Sequence, residues 1–600
     1  MGPYMKIIIR ILIICILLIA PQHLFRYDPS VQSNEMITNI KDLPLLEKTV
    51  IQVSNQENFT FTDEPRFFVQ PNKPFLPVYT YQCTFPFGTR IHSINISFTN
   101  ITLTKINSRT TNTPHPLNPL YDPKIITSTS NSKIRLQQMI TILKDWYDIR
   151  LGTGIKDNER ILFVNIAVYP IFYVRTLNQL IIPNEIALTF EYEMQIKQSN
   201  HHSSYDLLII TTEEFKNILQ PYLNHKKNNT KILLETLENI PHQGRDIQED
   251  IKLYIKDQIE EFDIKNVLFV GGYNKIPVRN VFVQEIRSIL MDDNIFISDL
   301  YYADIYDADG LFCSWDSNNN NIFGEFKLND LIPSDKVDLY PDVYFGRLAC
   351  RTIEEVNITI EKIITYENIK KDLNWFSNAI MIGSDTFTED ILGISEGEEI
   401  TKSISQILRG FNITKLWGSN GKLHFANDIS NAIEKGAGFV AFDGHAGSNS
   451  YRTHPSKSPS EWIPLEWYRT YHINELSNQN KLPIVSINAC NTCKFSVNHT
   501  SFGWSFIINP NGGSIATVGM TCLSWIYPGI FCTYGLGGLI HQKFYKSYIS
   551  GATTFGQMWA DSITQYLNDN PWYLSAYDHK TLKGWQPFGD PTLILPQYDS

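Results

Sequence analysis

An α/β fold in two halves with mainly parallel sheets, preceded by a β-rich region, is what the sequence predicts. Three observations carry that reading. From residue 205 onward, continuous apolar runs alternate with amphipathic stretches, the grammar of strands buried on both faces and of the helices that cover them. The alternation starts afresh near 376, after a long amphipathic stretch, which separates a first half (205–375) from a second (376–600). Between about 45 and 200 the pattern is period two, as expected of half-buried strands.

The chain opens with Lys6 and Arg10 and an apolar run, "ILIICILLIA" (11–20), closed by Pro21. A basic start and a short apolar core describe a secretory signal over 1–23. An uncleaved anchor is the alternative, although a spanning helix needs about 20 apolar residues. Sequons at Asn58, Asn95, Asn100, Asn228, Asn357, Asn412 and Asn498 agree with export. In the β-rich region "RIHSINISFTNITLTKI" alternates cleanly, "IRLQQMITILKDWYD" (134–148) predicts a helix or two short pieces, and Pro183-Asn184 predicts a hairpin-like pair. Polar "KQSNHHSS" (197–204) reads as a linker.

In the first half, strands are expected at "YDLLIIT", "KILLETL" and "NVLFVGG", with helices at "TTEEFKNILQPYL", "DIQEDIKLYIKDQIEEF" and "TIEEVNITIEKIITYENIKK". In the second, strands are expected at "SNAIMIGSD", "ITKLWG", "GFVAFDGH", "PIVSINAC" and "GSIATVG". The helices between them are "EEITKSISQILRGF" and "NDISNAIEKG", with a last one near 553–568.

The composition is globular, 43% hydrophobic and 19% charged, with a net charge of -11. No basic field exists to neutralise phosphates, so a nucleic-acid partner is excluded. Eight cysteines include Cys15 in the leader. The other seven are an odd number, which in an oxidising compartment points to a free thiol.

Ligands of open α/β sheets bind at the C-terminal ends of parallel strands. Two expected strands end in residues of nucleophilic catalysis, His445 and Cys490. A thiol needs a positioned base to act as a nucleophile near neutral pH, and a histidine at a neighbouring strand tip supplies one. Gly444 and Gly447 flank His445 and let backbone N–H groups approach a substrate carbonyl. Asp385, at the tip of "IMIGSD", is the candidate to orient the imidazole; the alternative is a strand-end cap. Cys490-x-x-Cys493 also reads as half a zinc site or a redox pair, but no second ligand pair accompanies it. Cys493 is then a bystander or a disulfide partner of Cys522 or Cys532, and His454, His472 and His499 read as surface residues.

These residues carry a resemblance. Strand-His-x and strand-Ala-Cys resemble the caspase-like clan of cysteine peptidases, and the set Asp385, His445, Cys490 is similar to that of the gingipain-type family. "NVLFVGGYNKIP", "PDVYFGRLACRTIEEVNITIEKIITYE" and "FGDPTLIL" are similar to the family as well. "PFLPVYTYQCTFPFGTRI" and "VNIAVYPIFYVRTLNQLIIPNEIALTFEYEM" resemble its prodomain. The resemblance implies a secreted zymogen with a β-rich prodomain over 45–200 that acts as its own inhibitor. It also implies a caspase-like catalytic region, protein or peptide substrates, and no cofactor for the chemistry. Cys490 would attack, His445 would protonate the leaving amine, and Asp385 would steady the ring. The N–H groups of Cys490 and of Ala446 would hold the oxyanion beside Gly444. Ala446 departs from the family's usual glycine.

Glu396 falls near the position of an acidic S1 residue in basic-specific members, with Glu398 and Glu399 close by; the same acids also read as a helix N-terminal charge bias. Asp304, Asp307, Asp309, Asp316, Asn318, Asn320 and Glu325 crowd one loop-like region. Such hard oxygen donors suit structural Ca²⁺, which the resemblance also implies; a solvated turn is the alternative. "HAGSNSYRTHPS" and "TVGMTCLSWIYP" are expected to line the cleft, and Lys197 is a candidate processing site. Two further readings stay beside the peptidase: an exported cell-surface binding protein with a degenerate fold, and a peptide transferase using the same thiol. Membrane attachment, on this reading, would come through the N-terminus.

Overall fold

The computed structural model describes residues 204–597 except 286–292, 328–333, 370–373, 389–392 and 572–573. Before them it describes 48–51, 59–61, 66–68, 76–105, 115–116, 147–168, 172–174 and 179–194. The chain divides at residue 45. The leader, the helix expected over 134–146 and Lys197 lie outside the described residues, whereas Tyr147 and Asp148 already belong to a strand.

The N-terminal region is β-rich, as expected. One sheet joins Lys48–Ile51, Gln179–Glu193, Arg90–Lys105 and Phe172–Val174. A second sheet is built on Leu76–Pro86, Glu159–Val168 and Tyr147–Lys156. The hairpin expected at Pro183-Asn184 is not there: the strand runs straight through both residues. Pro183 falls between the segment that pairs with Phe172–Val174 and the segment that pairs with Lys48–Ile51. On that side the ladder has a gap at Pro183, and a proline is tolerated where its nitrogen has no ladder bond to make.

This region shares its core with the α/β part of the chain. Phe163 stacks on Tyr340 with ring centroids 5.0 Å apart. Buried Asn165 donates to the Tyr340 hydroxyl at 2.8 Å and to Asn568 at 2.9 Å. Gly152 packs so closely on Tyr340 that a Cβ would lie 2.2 Å from the ring.

The α/β part is built on one ten-stranded sheet. Its strands in chain order are β1 (Leu207–Thr211), β2 (Ile232–Thr236), β3 (Asn266–Val270), β4 (Tyr344–Leu348), β5 (Asn378–Gly383), β6 (Asn412–Trp417), β7 (Phe439–Asp443), β8 (Ile484–Asn488), β9 (Ala516–Met520) and β10 (Trp585–Phe588). Across the sheet they lie in the order β2-β1-β3-β4-β10-β9-β8-β7-β5-β6. All neighbours are parallel except β9 and β10. The sheet thus consists of two parallel blocks of opposite direction, β2-β1-β3-β4-β10 and β9-β8-β7-β5-β6, which meet at the antiparallel pair β9 and β10. Residues of β1, β4, β7, β8 and β9 are buried throughout, which is why β1 and most of β7 read as apolar runs.

Helices start where capping chemistry places them. Asp246 caps α1 (Ile247–Phe262) by accepting from the Glu249 N–H, and Thr352 caps α2 (Ile353–Asn368) by accepting from the Glu355 N–H. In the second half, α3 (Glu396–Ile407), α4 (Ala426–Glu434) and α5 (Leu536–Ile549) cover the sheet, and α6 (Phe555–Asp569) packs against both α5 and β4.

The junction of the two blocks is pinned by a fully buried ion pair. Arg347 on β4 donates from Nε and Nη2 to the two carboxylate oxygens of Asp299, at 2.6 and 2.7 Å, and Gln586 on β10 donates to the same carboxylate at 2.7 Å. Asp299→Ala leaves a buried guanidinium without its counter-charge. It is expected to lower unfolding free energy by about 3–5 kcal/mol, read from the urea midpoint.

Candidate active site

Three neighbouring parallel strands bring the chemistry to one sheet edge. Gly383 at the end of β5 pairs with Asp443 at the end of β7, and Asp443 pairs with Asn488 at the end of β8. Asp385, His445 and Cys490 each lie two residues beyond those partners. They leave three adjacent strands at the same register, about 5 Å from strand to strand. Cys490 and Asp385 are fully buried and His445 is 3% exposed.

His445 Nε2 lies 2.9 Å from the main-chain carbonyl of Thr386. A carbonyl oxygen only accepts, so this contact puts a proton on Nε2 and makes Nδ1 the lone-pair nitrogen of the neutral ring. The sequence did not single out Thr386, since a main-chain carbonyl leaves no trace in residue type. Asp385 forms a bridge with His454 through paired main-chain bonds, and its carboxylate accepts the Lys457 N–H at 3.0 Å. It therefore fixes the segment that ends beside the imidazole.

His445 opens an antiparallel hairpin sheet of His445–Gly447, Ser450–Thr453 and Ile463–Arg469. Gly444, just before it, has φ +152°, and a Cβ there would lie 3.1 Å from the Thr453 Cβ. Only glycine suits that step. Ala446, by contrast, is absent from the positive-φ residues and pairs regularly with Tyr451. The alanine in place of glycine thus imposes no strain.

The Cys490 sulfur accepts the Ser524 N–H at 3.3 Å and lies 3.6 Å from the Ser524 carbonyl. Asn491 turns the chain away in the left-handed region, at φ 59°. Cys493 is buried against Gly503 and Gly519. Burial pushes its thiol well above the usual range, so it stays protonated. Cys493, Cys522 and Cys532 all carry free thiols, so the disulfide reading of Cys493 with Cys522 or Cys532 does not hold.

Behind the strand tips runs a buried polar chain that sequence reasoning missed. Asn488 donates to Asp443 at 2.9 Å and accepts from the Ser524 hydroxyl at 2.8 Å. His541 on α5 bridges Asp443 at 3.3 Å and Ser486 at 2.7 Å, and Ser486 meets the Tyr545 hydroxyl at 2.6 Å. The chain ties the tip carrying His445, the tip carrying Cys490 and the segment that contacts its sulfur. Asn488→Ala would strand two buried partners, and a loss of about 1–3 kcal/mol is expected in urea unfolding.

Glu396, the first residue of α3, is fully buried. Its carboxylate accepts N–H groups of Thr386 (3.2 Å), Phe387 (3.1 Å) and Gly529 (2.7 Å). Desolvation first, and then the charge of Asp385, push it up to about 8 against these hydrogen bonds. It staples the segment beside His445 to the segment C-terminal to Ser524. Glu398 binds Ser419 and Glu399 pairs with Lys402, so neither competes for that position.

One expectation needs correction. His454 and His472 are buried rather than at the surface: His454 lies tilted against Trp462 with ring centroids 3.6 Å apart and His472 stacks on Tyr468 at 5.3 Å, while His499 is exposed. The carboxylates considered for calcium are engaged by hydrogen bonds within the chain. Asp304 is buried and accepts the Leu339 N–H, Asp307 closes its own turn through the N–H groups of Asp309 and Leu311, and Asp309 is exposed. Asp316 accepts from Asn320 and Asn321, and Glu325 from Asn318 and Asn320. Among the described residues no three His, Cys, Asp or Glu side chains converge to hold a metal. Turn-forming Asp and Asn bind their own backbone, and sequence density alone does not separate that from ligation.

The pattern of peptidase family C25 matches residues 200–596. Gingipain R2 and gingipain R1 of Porphyromonas gingivalis are each 25% identical over 293 residues, 45% of this chain, covering 36% and 26% of those relatives. The chain thus spans about a third of the curated relatives it matches. Among solved structures, the Arg-specific cysteine proteinase gingipain R aligns with a TM-score of 0.48 and 18% identity, over 68% of this chain and 81% of that one. The complex of Porphyromonas gingivalis RgpB pro- and mature domains aligns with a TM-score of 0.47 and 18% identity, over 65% and 80%.

Proposed function

The chain belongs to peptidase family C25, and from that premise we propose that it is made as an exported zymogen whose mature part hydrolyses peptide bonds through Cys490 and His445. The observation that carries this reading is the common register of Asp385, His445 and Cys490 beyond three paired strand ends. In the proposed reaction the thiol proton passes to the imidazole and the sulfur attacks the scissile carbonyl. The N–H groups of Cys490 and Ala446 receive the oxyanion. His445 then protonates the departing amine, and water, deprotonated by the same ring, releases the acyl group and restores the thiol. The unstrained backbone at Ala446 supports turnover over a degenerate binding protein.

The zymogen reading rests on a strand. His115–Pro116 of the N-terminal region pairs antiparallel with Trp525–Ile526, directly after Ser524. Edge pairing of this kind is how an extended peptide is held, which supports the reading that this segment takes the place of a substrate backbone. The leader over 1–23 supports export. Among the described residues no helix is long and apolar enough to cross a membrane.

A preference for arginine or lysine before the scissile bond rests on Glu396. Its carboxylate is now shared among three N–H groups, and a guanidinium would have to displace at least one of them. Mass spectrometry of a peptide library incubated with the cleaved chain tests both statements. The expected products carry new carboxyl and amino termini in equal amounts, with basic residues at the new C-terminus. Products joined to an added amine would favour transfer, and cleavage indifferent to charge would sink the role of Glu396.

A further inference from the structure

The hairpin sheet that carries His445 holds a stack of alternating aromatic and guanidinium groups. The Arg452 guanidinium carbon sits 3.6 Å from the ring centre of Trp462 and 3.6 Å from that of Trp467; Arg469 lies 5.3 Å beyond on Trp467. At the other end His454 lies on Trp462 at 3.6 Å. Such contacts hold a flat cation in place at little entropic cost.

Arg452 pairs directly with His445 across the hairpin, and opposite residues of an antiparallel pair present their side chains on the same face. Trp462 joins them, its ring 5.6 Å from that of His445. Arg452 is partly exposed, makes no ion pair among the described residues, and has no acceptor for its buried Nε. Burial and the like charge of Arg469 draw the guanidinium down to about 10, which leaves it charged at neutral pH. The two rings hold the cation, but among the described residues no anion faces it beside the catalytic imidazole.

Resting on the peptidase reading, we propose that Arg452 forms a subsite for a carboxylate of the substrate, an Asp or Glu side chain within the first residues after the scissile bond. The side follows from the chemistry. The imidazole must reach the leaving amine, so groups packed around it meet the leaving half of the substrate. The acyl half lies along Trp525–Ile526. Guanidinium and carboxylate would then meet through charge-assisted hydrogen bonds.

The test uses the full-length chain cleaved in the 197–204 linker, and pairs of quenched peptides that differ only by Glu or Gln at the first, second or third position after the cut. The wild-type ratio of kcat/KM, Glu over Gln, is expected to be about tenfold at one of these positions and to shrink as ionic strength rises. In Arg452→Gln that ratio should fall to about one, and Arg452→Glu should favour Lys over Gln at the same position. A stack that only stiffens the hairpin would slow both peptides alike and keep the ratio. A wild-type ratio near one at all three positions, or one unchanged in Arg452→Gln, would overturn the proposal. If neither peptide is turned over, the peptidase reading fails, and fluorescence anisotropy of the same peptides on Cys490→Ala protein still decides: equal affinity for Glu and Gln peptides would overturn the subsite.

Discussion

Cys490→Ala is expected to reduce peptide hydrolysis by about 10⁴-fold or more while the protein keeps its fold and still binds peptide. The argument is geometric. Cys490 leaves β8 at the register at which His445 leaves β7, and its sulfur meets the segment leading into Trp525–Ile526. The two thiols nearest in sequence to the strand tips are not placed to stand in. Cys493 is packed against Gly503 and Gly519, and Cys522 points to the Lys580 carbonyl, both fully buried with their thiols held protonated by desolvation. The substitution removes one atom from a well-packed site, so the stability change should be small beside the loss of activity. Steady-state kinetics on the cleaved chain, with far-ultraviolet circular dichroism as the folding control, checks it. Activity within tenfold of wild type would end the assignment.

The second large effect concerns latency. The intact chain is expected to be at least about 100-fold less active than the chain cleaved in the 197–204 linker and freed of its N-terminal region. A tethered strand competes with substrate at an effective concentration of order millimolar, so even weak pairing of His115–Pro116 with Trp525–Ile526 excludes micromolar peptide. Removing 111–120 alone should restore most of the activity in the uncleaved chain. The N-terminal region would remain docked through Asn165, Phe163 and Gly152 on Tyr340. An uncleaved 111–120 deletion as inactive as the intact chain would show that this strand is not the block.

Much of the site was legible because burial on both faces of a parallel strand leaves an unbroken apolar run, and such runs end visibly at Asp385, His445 and Cys490. What joins the halves was not. The strand Trp585–Phe588 contains Pro587 and is followed by Gly589, and no strand is expected there from the sequence. It survives in the sheet because its ladder with β4 is a single pair, Arg347 with Phe588. The helix Leu536–Ile549 escaped for a related reason. Gly537 and Gly538 look like breakers, yet each is there for close approach: a Cβ would lie 2.2 Å from Asn488 Oδ1 in one case and 1.9 Å from the Cys532 carbonyl in the other. The stack around Arg452 was hidden because cation–aromatic contacts follow neither helical nor strand period. Glu396 was placed near the site by resemblance, but its three main-chain bonds could be seen only in the fold.

The most direct test of the central claim is the site of covalent modification by an electrophilic peptide ketone. The full chain, cleaved in the linker, is treated with the probe, digested and mapped by mass spectrometry. The account predicts a single adduct on Cys490, lost in His445→Ala and absent from the uncleaved chain. Modification of another cysteine with Cys490 untouched, or labelling of the intact and cleaved chains at equal rates, would contradict it.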